Sequence, residues 1–181
     1  MNRGRVMEIR RAQSNDASGI AKVHVDSWRT TYKDIIPEDF LNNLSYAKRT
    51  ELWEKNIASE DKYAIVAVNN EGQIVGFADG WKREDNLVEN ACDLTSIYIL
   101  EEYQGKGMGK LLMKELFKHF NQMGYERIFV EVLEENKTRL FYEHYGARLI
   151  RKVQIQIGGK MLNELIYEWE NVDEVVQKLR D

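Results

Sequence analysis

At 181 residues, with 26 Lys and Arg against 30 Asp and Glu, the chain is slightly acidic, at a net charge of −4. It is long enough to bury a real core as one domain over residues 1–181, and its charge disfavours a nucleic-acid binder, which carries a basic patch. No apolar run is long enough to span a membrane, no signal peptide is evident, and a single cysteine, Cys92, excludes an intramolecular disulfide and points to a reducing compartment.

Residues 7–12 alternate and read as an opening strand. The basic run Arg3–Arg11 reads as a solvated surface. Ser14, Asn15 and Asp16 offer N-cap oxygens to a helix carrying Ile20, Val23, His24 and Trp28 to Tyr32. Pro37 breaks the chain and starts a second helical segment, interrupted, with Phe40, Leu41, Leu44, Leu52, Trp53 and Ile57. Tyr63–Val68 and Ile74–Trp81 are dense β runs around the turn Asn69–Gly72, which predicts a hairpin. Lys82–Ala91 is a polar loop.

Leu94–Leu100 is a central strand, followed by Gln104-Gly-Lys-Gly-Met-Gly109. A helix comes next, with Met108, Leu111, Leu112, Leu116, Phe120 and Met123 at helical spacing and Gly124 as its stop. Arg127–Leu133 is another strand, and Thr138–Tyr145 a short helix ended by Gly146. Ala147–Ile157 and Lys160–Trp169 form a long hairpin about Gly158-Gly159. Val172–Leu179 closes the chain as an amphipathic helix. The order predicts a mixed α+β domain on one sheet.

A strand, a tight glycine loop and a helix start gather backbone N–H groups at one point, a physical anion site. A nucleotide P-loop is excluded, because Leu111 follows Lys110 and no hydroxyl is placed for Mg²⁺. A dinucleotide loop is weak, because Gly109 comes one residue too early after Gly107, although Glu131 is placed for a ribose. What remains is Gln104-x-x-Gly107-x-Gly109 after Ile97-Tyr98-Ile99.

That pattern, with a second block from Glu131–Asn136 through Phe141-Tyr142-Glu-His-Tyr-Gly146, resembles the GNAT superfamily of acyl-CoA-dependent N-acetyltransferases. The resemblance implies a single central mixed, mostly antiparallel sheet flanked by helices. It implies acetyl-CoA as cofactor and a primary amine as acceptor, attacked directly in a ternary complex. No metal is expected. The acceptor is a cationic small molecule of the polyamine kind or a protein amine, and family habit adds a homodimer. A cytoplasmic location follows from the reduced cysteine. Rival readings are a non-catalytic acyl-CoA sensor on the same fold and a nucleotide-binding regulatory domain.

Site residues follow from the same resemblance. The N–H groups of Gly105, Lys106, Gly107, Met108, Gly109 and Lys110 anchor the pyrophosphate, with Gln104 shaping the turn and the two lysines adding charge. Free backbone of Ile97, Tyr98 and Ile99 pairs with the cofactor's amide-rich arm as an added strand would. Tyr142 is the expected general acid and Tyr145 packs on the cofactor. Asp93 is the expected base, with Glu131 as the alternative carboxylate; His24 and His144 are weaker candidates. Asn136 lies six residues before Tyr142 where the family has its Asn at seven, and Glu135 takes that place. Ala147 stands where an aromatic is common. Trp28, Tyr32 and Trp81 are candidate walls of the acceptor pocket, and the acid-rich loop around Glu84–Asp93 suits a cationic amine.

Overall fold

A computed structural model describes residues 6–181. The start of the basic run, Arg3–Arg5, lies outside them. Seven strands form one sheet in the order β1-β2-β3-β4-β5-β7-β6. They are β1 (Val6–Arg11), β2 (Tyr63–Asn69), β3 (Ile74–Trp81), β4 (Ala91–Ile99), β5 (Arg127–Leu133), β6 (Arg148–Ile157) and β7 (Lys160–Trp169). Every neighbouring pair is antiparallel except β4 with β5. That parallel pair needs a crossover, supplied by α4 (Met108–Gln122).

Both faces are covered, and β2 shows it best. Its Ile65 and Ala67 join the core under α4, while Ala64, Val66 and Val68 join a second core under α1 (Ala17–Thr31) and α3 (Tyr46–Ala58). The result is a continuous apolar run rather than an alternating strand. On the α4 side Leu112, Met113, Leu116, Phe117 and Phe120 are buried at helical spacing, together with α6 (Val172–Lys178). Gly80 is required there, because a Cβ would lie 2.3 Å from the Phe120 ring. A third cluster joins Tyr32, Ile36 and Leu41 to Leu133 and Leu162. It ties the segment after α1, including α2 (Glu38–Asn42), to the β6–β7 hairpin.

Three local expectations are corrected. Asp16 does not cap α1; its carboxylate turns back to Arg10 at 2.7 and 3.0 Å and to the Gln13 N–H at 2.7 Å, within a short 3-10 turn. β4 begins at Ala91, three residues before the expected start. Met123 falls past the end of α4 and is 61% exposed, so the apolar stripe ends at Phe120.

Candidate active site

The sheet splits at its centre. Parallel pairing of β4 with β5 runs from Ala91–Arg127 to Leu94–Val130 and stops. Beyond it, residues 96–99 of β4 keep pairing with β3 on one side only. The stop coincides with a bulge: Gly80 pairs with Leu94 but Asp79 with Ser96, leaving Thr95 as the extra residue. The open backbone edge faces a cleft of about 810 Å³.

The glycine loop forms the cleft's other wall. Gly105 and Gly107 hold φ of +71° and +80°, a conformation that costs an L side chain. No side chain caps α4, and its first N–H groups, at Met108, Gly109 and Lys110, have no intrahelical acceptor. Gln104 Nε2 donates to the Ile99 carbonyl at 2.9 Å, tying the loop back to the strand end. Every cofactor residue expected from the sequence lines this cleft except Lys106. Its ammonium instead sits 5.5 Å from the centre of the Tyr103 ring.

Short helix α5 (Thr138–His144) completes the wall with Thr138, Phe141 and, just past its end, Tyr145. Phe141 packs edge-on to Tyr145 at 5.1 Å. α4 also comes close to this helix: a Cβ at Gly109 would make ordinary contact with Phe141, at 3.5 Å. Thr138, Phe141 and Tyr145 are three and four residues apart, so projecting a helical face back from Tyr145 would have found the first two. Tyr103, Lys33 and Lys137 also line the cleft and carried no sequence signal.

Asn136 keeps a place at the cleft despite its spacing. Its Oδ1 accepts the Thr138 N–H at 2.9 Å, and its Nδ2 donates to the Tyr32 hydroxyl at 3.2 Å. Tyr32 in turn shares a hydrogen bond of 2.9 Å with Tyr98. This chain of polar groups borders a small cavity of about 20 Å³ in the split, whose lining includes Ser96, Glu131 and Tyr142. A cavity of that size takes about one water.

Tyr142 is 5% exposed and packs edge-on against Trp169 at 5.6 Å. Burial, and secondarily Tyr32, raises its phenol well above the ordinary range, so it keeps its proton. Glu131 enters from β5 and is ion-paired with Arg83 from the β3–β4 loop. Glu164 of β7 lies diagonally across from it, since Glu131 pairs with Ile166. Burial first, then the charge of Glu131, raises the Glu164 carboxyl.

The remaining candidates lie elsewhere. Asp93 sits in the paired part of β4 and lines neither cavity. Its Oδ2 accepts the Arg83 N–H and the Asn86 amide, both at 3.0 Å, so it fastens the β3–β4 loop. Trp81 lies opposite Asp93, under the Lys62 ammonium at 4.4 Å. Trp28 packs against Tyr32 at 4.8 Å, with its indole N–H buried and unpartnered. His24 accepts the Trp53 indole N–H at 3.1 Å. Cys92 is 1% exposed and burial pushes its thiol up to about 12, which makes it unreactive.

The "Acetyltransferase (GNAT) family" profile matches residues 25–147. The N-acetyltransferase YuaI of Bacillus subtilis is 34% identical over 167 residues, covering 92% of this chain and 95% of that one. The chain belongs to the GNAT acetyltransferase family. A spermine/spermidine N(1)-acetyltransferase of Bacillus subtilis is 27% identical to this GNAT protein, covering 68% of this chain and 85% of the relative. The crystal structure of the PaiA N-acetyltransferase of Thermoplasma acidophilum, in complex with coenzyme A, shares its fold. The TM-score is 0.74 at 22% identity, over 90% of this chain and 98% of that one.

This GNAT protein is an acetyl-CoA-dependent N-acetyltransferase. The cleft fits that cofactor. Uncapped helix N–H groups and Lys110 suit a pyrophosphate, and the open edge of β4 suits an amide-rich arm. Among the described residues no cluster of metal ligands is found, and no helix is long and apolar enough to cross a membrane.

Proposed function

We propose that this protein acetylates a cationic primary amine by direct attack within a ternary complex, with Glu131 as proton acceptor and Tyr142 as proton donor. The observation that carries the assignment is their meeting in one small cavity, at the point where β4 and β5 part. Bound acetyl-CoA supplies a thioester that an uncharged amine can attack. An alkylammonium has a pKa near ~10, so its proton must first be removed. Glu131 is a carboxylate within the split, whereas Asp93 lines neither cavity and its Oδ2 is held by loop donors. The Tyr142 hydroxyl makes no hydrogen bond to another described residue, and burial keeps it protonated, which suits a donor to the leaving sulfur. The unpaired backbone edge after Leu94 offers N–H groups to the carbonyl oxygen as charge gathers there. The buried, high-pKa Cys92 argues against an acyl-enzyme.

Acceptor class is inferred from charge. Glu131 and Glu164 lie on the face of the split opposite α4; Arg83 already pairs with Glu131, so an ammonium relieves the crowding that remains at Glu164. The spermine/spermidine relative acts on amines of that kind. We place the protein in the cytoplasm as one domain. An acyl-CoA sensor on this fold would bind the cofactor without turnover.

The test is free-thiol release from acetyl-CoA with a panel of spermidine, spermine, diamines and an amino-terminal peptide. Turnover with the polyamines, lost in Glu131→Gln by roughly a hundredfold, is the expected result. Turnover only with the peptide would replace the acceptor class. Cofactor binding with no turnover on any amine would establish the sensor.

A further inference from the structure

Asp79 is a buried carboxylate that the proposed chemistry does not use. It lies on β3, 4% exposed, and lines neither the cleft nor the small cavity. Burying a carboxylate is costly unless something compensates. Here burial pushes its pKa up to about 6, against the pull of Ser96 and Thr95 and, more distantly, Lys62 and Arg83. No ion pair is made by Asp79 among the described residues.

Its hydrogen bonds explain the placement. The Ser96 hydroxyl donates to Asp79 Oδ1. The Thr95 hydroxyl donates to the Asp79 carbonyl at 2.9 Å. Thr95 is the inserted residue of the β4 bulge and Ser96 resumes the register. One residue of β3 therefore grips both residues at which β4 changes phase. The change of phase has a visible effect: Leu94 and Ile97, three apart, both face the α4 core. In an unbroken strand they would face opposite ways. The bulge is also where pairing with β5 ends.

We propose that Asp79 is a positioning residue for the acetyl-transfer reaction, clamping the β4 bulge through the Thr95 and Ser96 hydroxyls and so holding the sheet split open for the cofactor's amide arm. The side chain's part of the clamp, the Ser96 bond, needs an acceptor oxygen and not a charge, so asparagine can replace it and alanine cannot; the Thr95 bond is to the backbone carbonyl and survives either substitution. This inference rests on the placement of the arm along the open edge of β4. It does not involve the glycine loop, which binds the other end of the cofactor.

That separation supplies the test. Binding of acetyl-CoA and of its fragment adenosine 3′-phosphate 5′-diphosphate is measured by calorimetry for wild type, Asp79→Ala and Asp79→Asn. The fragment carries the pyrophosphate but no arm. Asp79→Ala is expected to weaken acetyl-CoA by about tenfold, the scale of one lost hydrogen bond with a buried partner, with fragment affinity unchanged. Asp79→Asn is expected to restore acetyl-CoA binding. Unchanged acetyl-CoA affinity in Asp79→Ala, or equal loss of both ligands, would overturn the clamp. If Asp79→Ala does not fold, Ser96→Ala removes the same bond from the other side. It is expected to give the same selective loss, and the lack of one overturns the clamp equally. Wild-type protein binding acetyl-CoA no better than the fragment would sink the arm placement, and the clamp with it.

Discussion

Gly107 carries the strictest local demand in the site. Its φ of +80° is the turn into α4, and an added Cβ would meet no neighbour within 4 Å. The constraint is therefore backbone strain, ~1–2 kcal/mol for an L side chain, not crowding. Gly107→Glu adds a negative charge where an anion is held, so acetyl-CoA affinity should fall on the order of a hundredfold in calorimetry. At Tyr142 the opposite separation is expected. Tyr142→Phe keeps the ring against Trp169 and removes only the hydroxyl. Turnover should drop roughly a hundredfold, with the dissociation constant for acetyl-CoA nearly unchanged; equal rates would return Tyr142 to a packing role. Glycine spacing made the loop legible in the sequence, because backbone geometry is what the loop needs. The carboxylates were harder to rank. Asp93 and Glu131 are both acidic strand residues, and only the point where pairing stops tells which one borders the opening.

Two buried groups give the elements a dependence on pH. Burial, and secondarily Arg49, pushes the His24 imidazole of α1 down to about 3. The unfolded chain takes up that proton near 6.5 and the folded one does not. Stability is therefore lost as pH falls below about 6.5, by ~1.4 kcal/mol per pH unit. Asp79 on β3 has the opposite sign. Its folded pKa of about 6 exceeds the ordinary 3.8, so its contribution is full below 3.8 and is lost as pH rises through 6. The total loss is about 3 kcal/mol. Between pH 4 and 6 the two slopes oppose and nearly cancel, and above about 6.5 both are spent, so melting curves from pH 4 to 8 should be nearly level in wild type, should fall toward acid in Asp79→Asn, and should fall from pH 4 to 6 in His24→Gln. Level profiles in both variants would refute both assignments. The elements themselves were legible from periodicity, because β2, β3 and α4 bury continuous or strongly spaced apolar residues. The β4 bulge was not, since it is set by two hydroxyls on one strand and by a backbone carbonyl and a carboxylate of a single residue on the next. No pattern within a single segment encodes it.

At the scale of the molecule, the β6–β7 hairpin reaches back over the segment between α1 and α2. Lys160 Nζ donates to the Ile35 carbonyl at 2.9 Å, and Gly158 lies so close to Phe40 that a Cβ would sit 3.0 Å away. This contact belongs to the cluster that joins Tyr32 to Leu133 and Leu162, and Tyr32 lines the split, where the acceptor is proposed to bind. Gly158→Val should lift the hairpin tip and raise the acceptor's KM several-fold, while the KM for acetyl-CoA holds steady. A matched change in both would mean that the tip is only structural support.

The split in the sheet has one more consequence. Strands β1–β4 form one antiparallel half, and β5–β7 another. Among the described residues, four rungs of parallel pairing, from Ala91–Arg127 to Leu94–Val130, stitch the two halves together, with the Asn90 carbonyl accepting the Glu126 and Arg127 N–H groups just before them. A ligand lying in the gap spans both halves, so it works as mortar as well as reactant. Without it, the cooperativity of unfolding depends on that short seam and on the helices packed across it. Saturating acetyl-CoA should therefore slow amide exchange on both sides of the seam together, including rungs that it never touches.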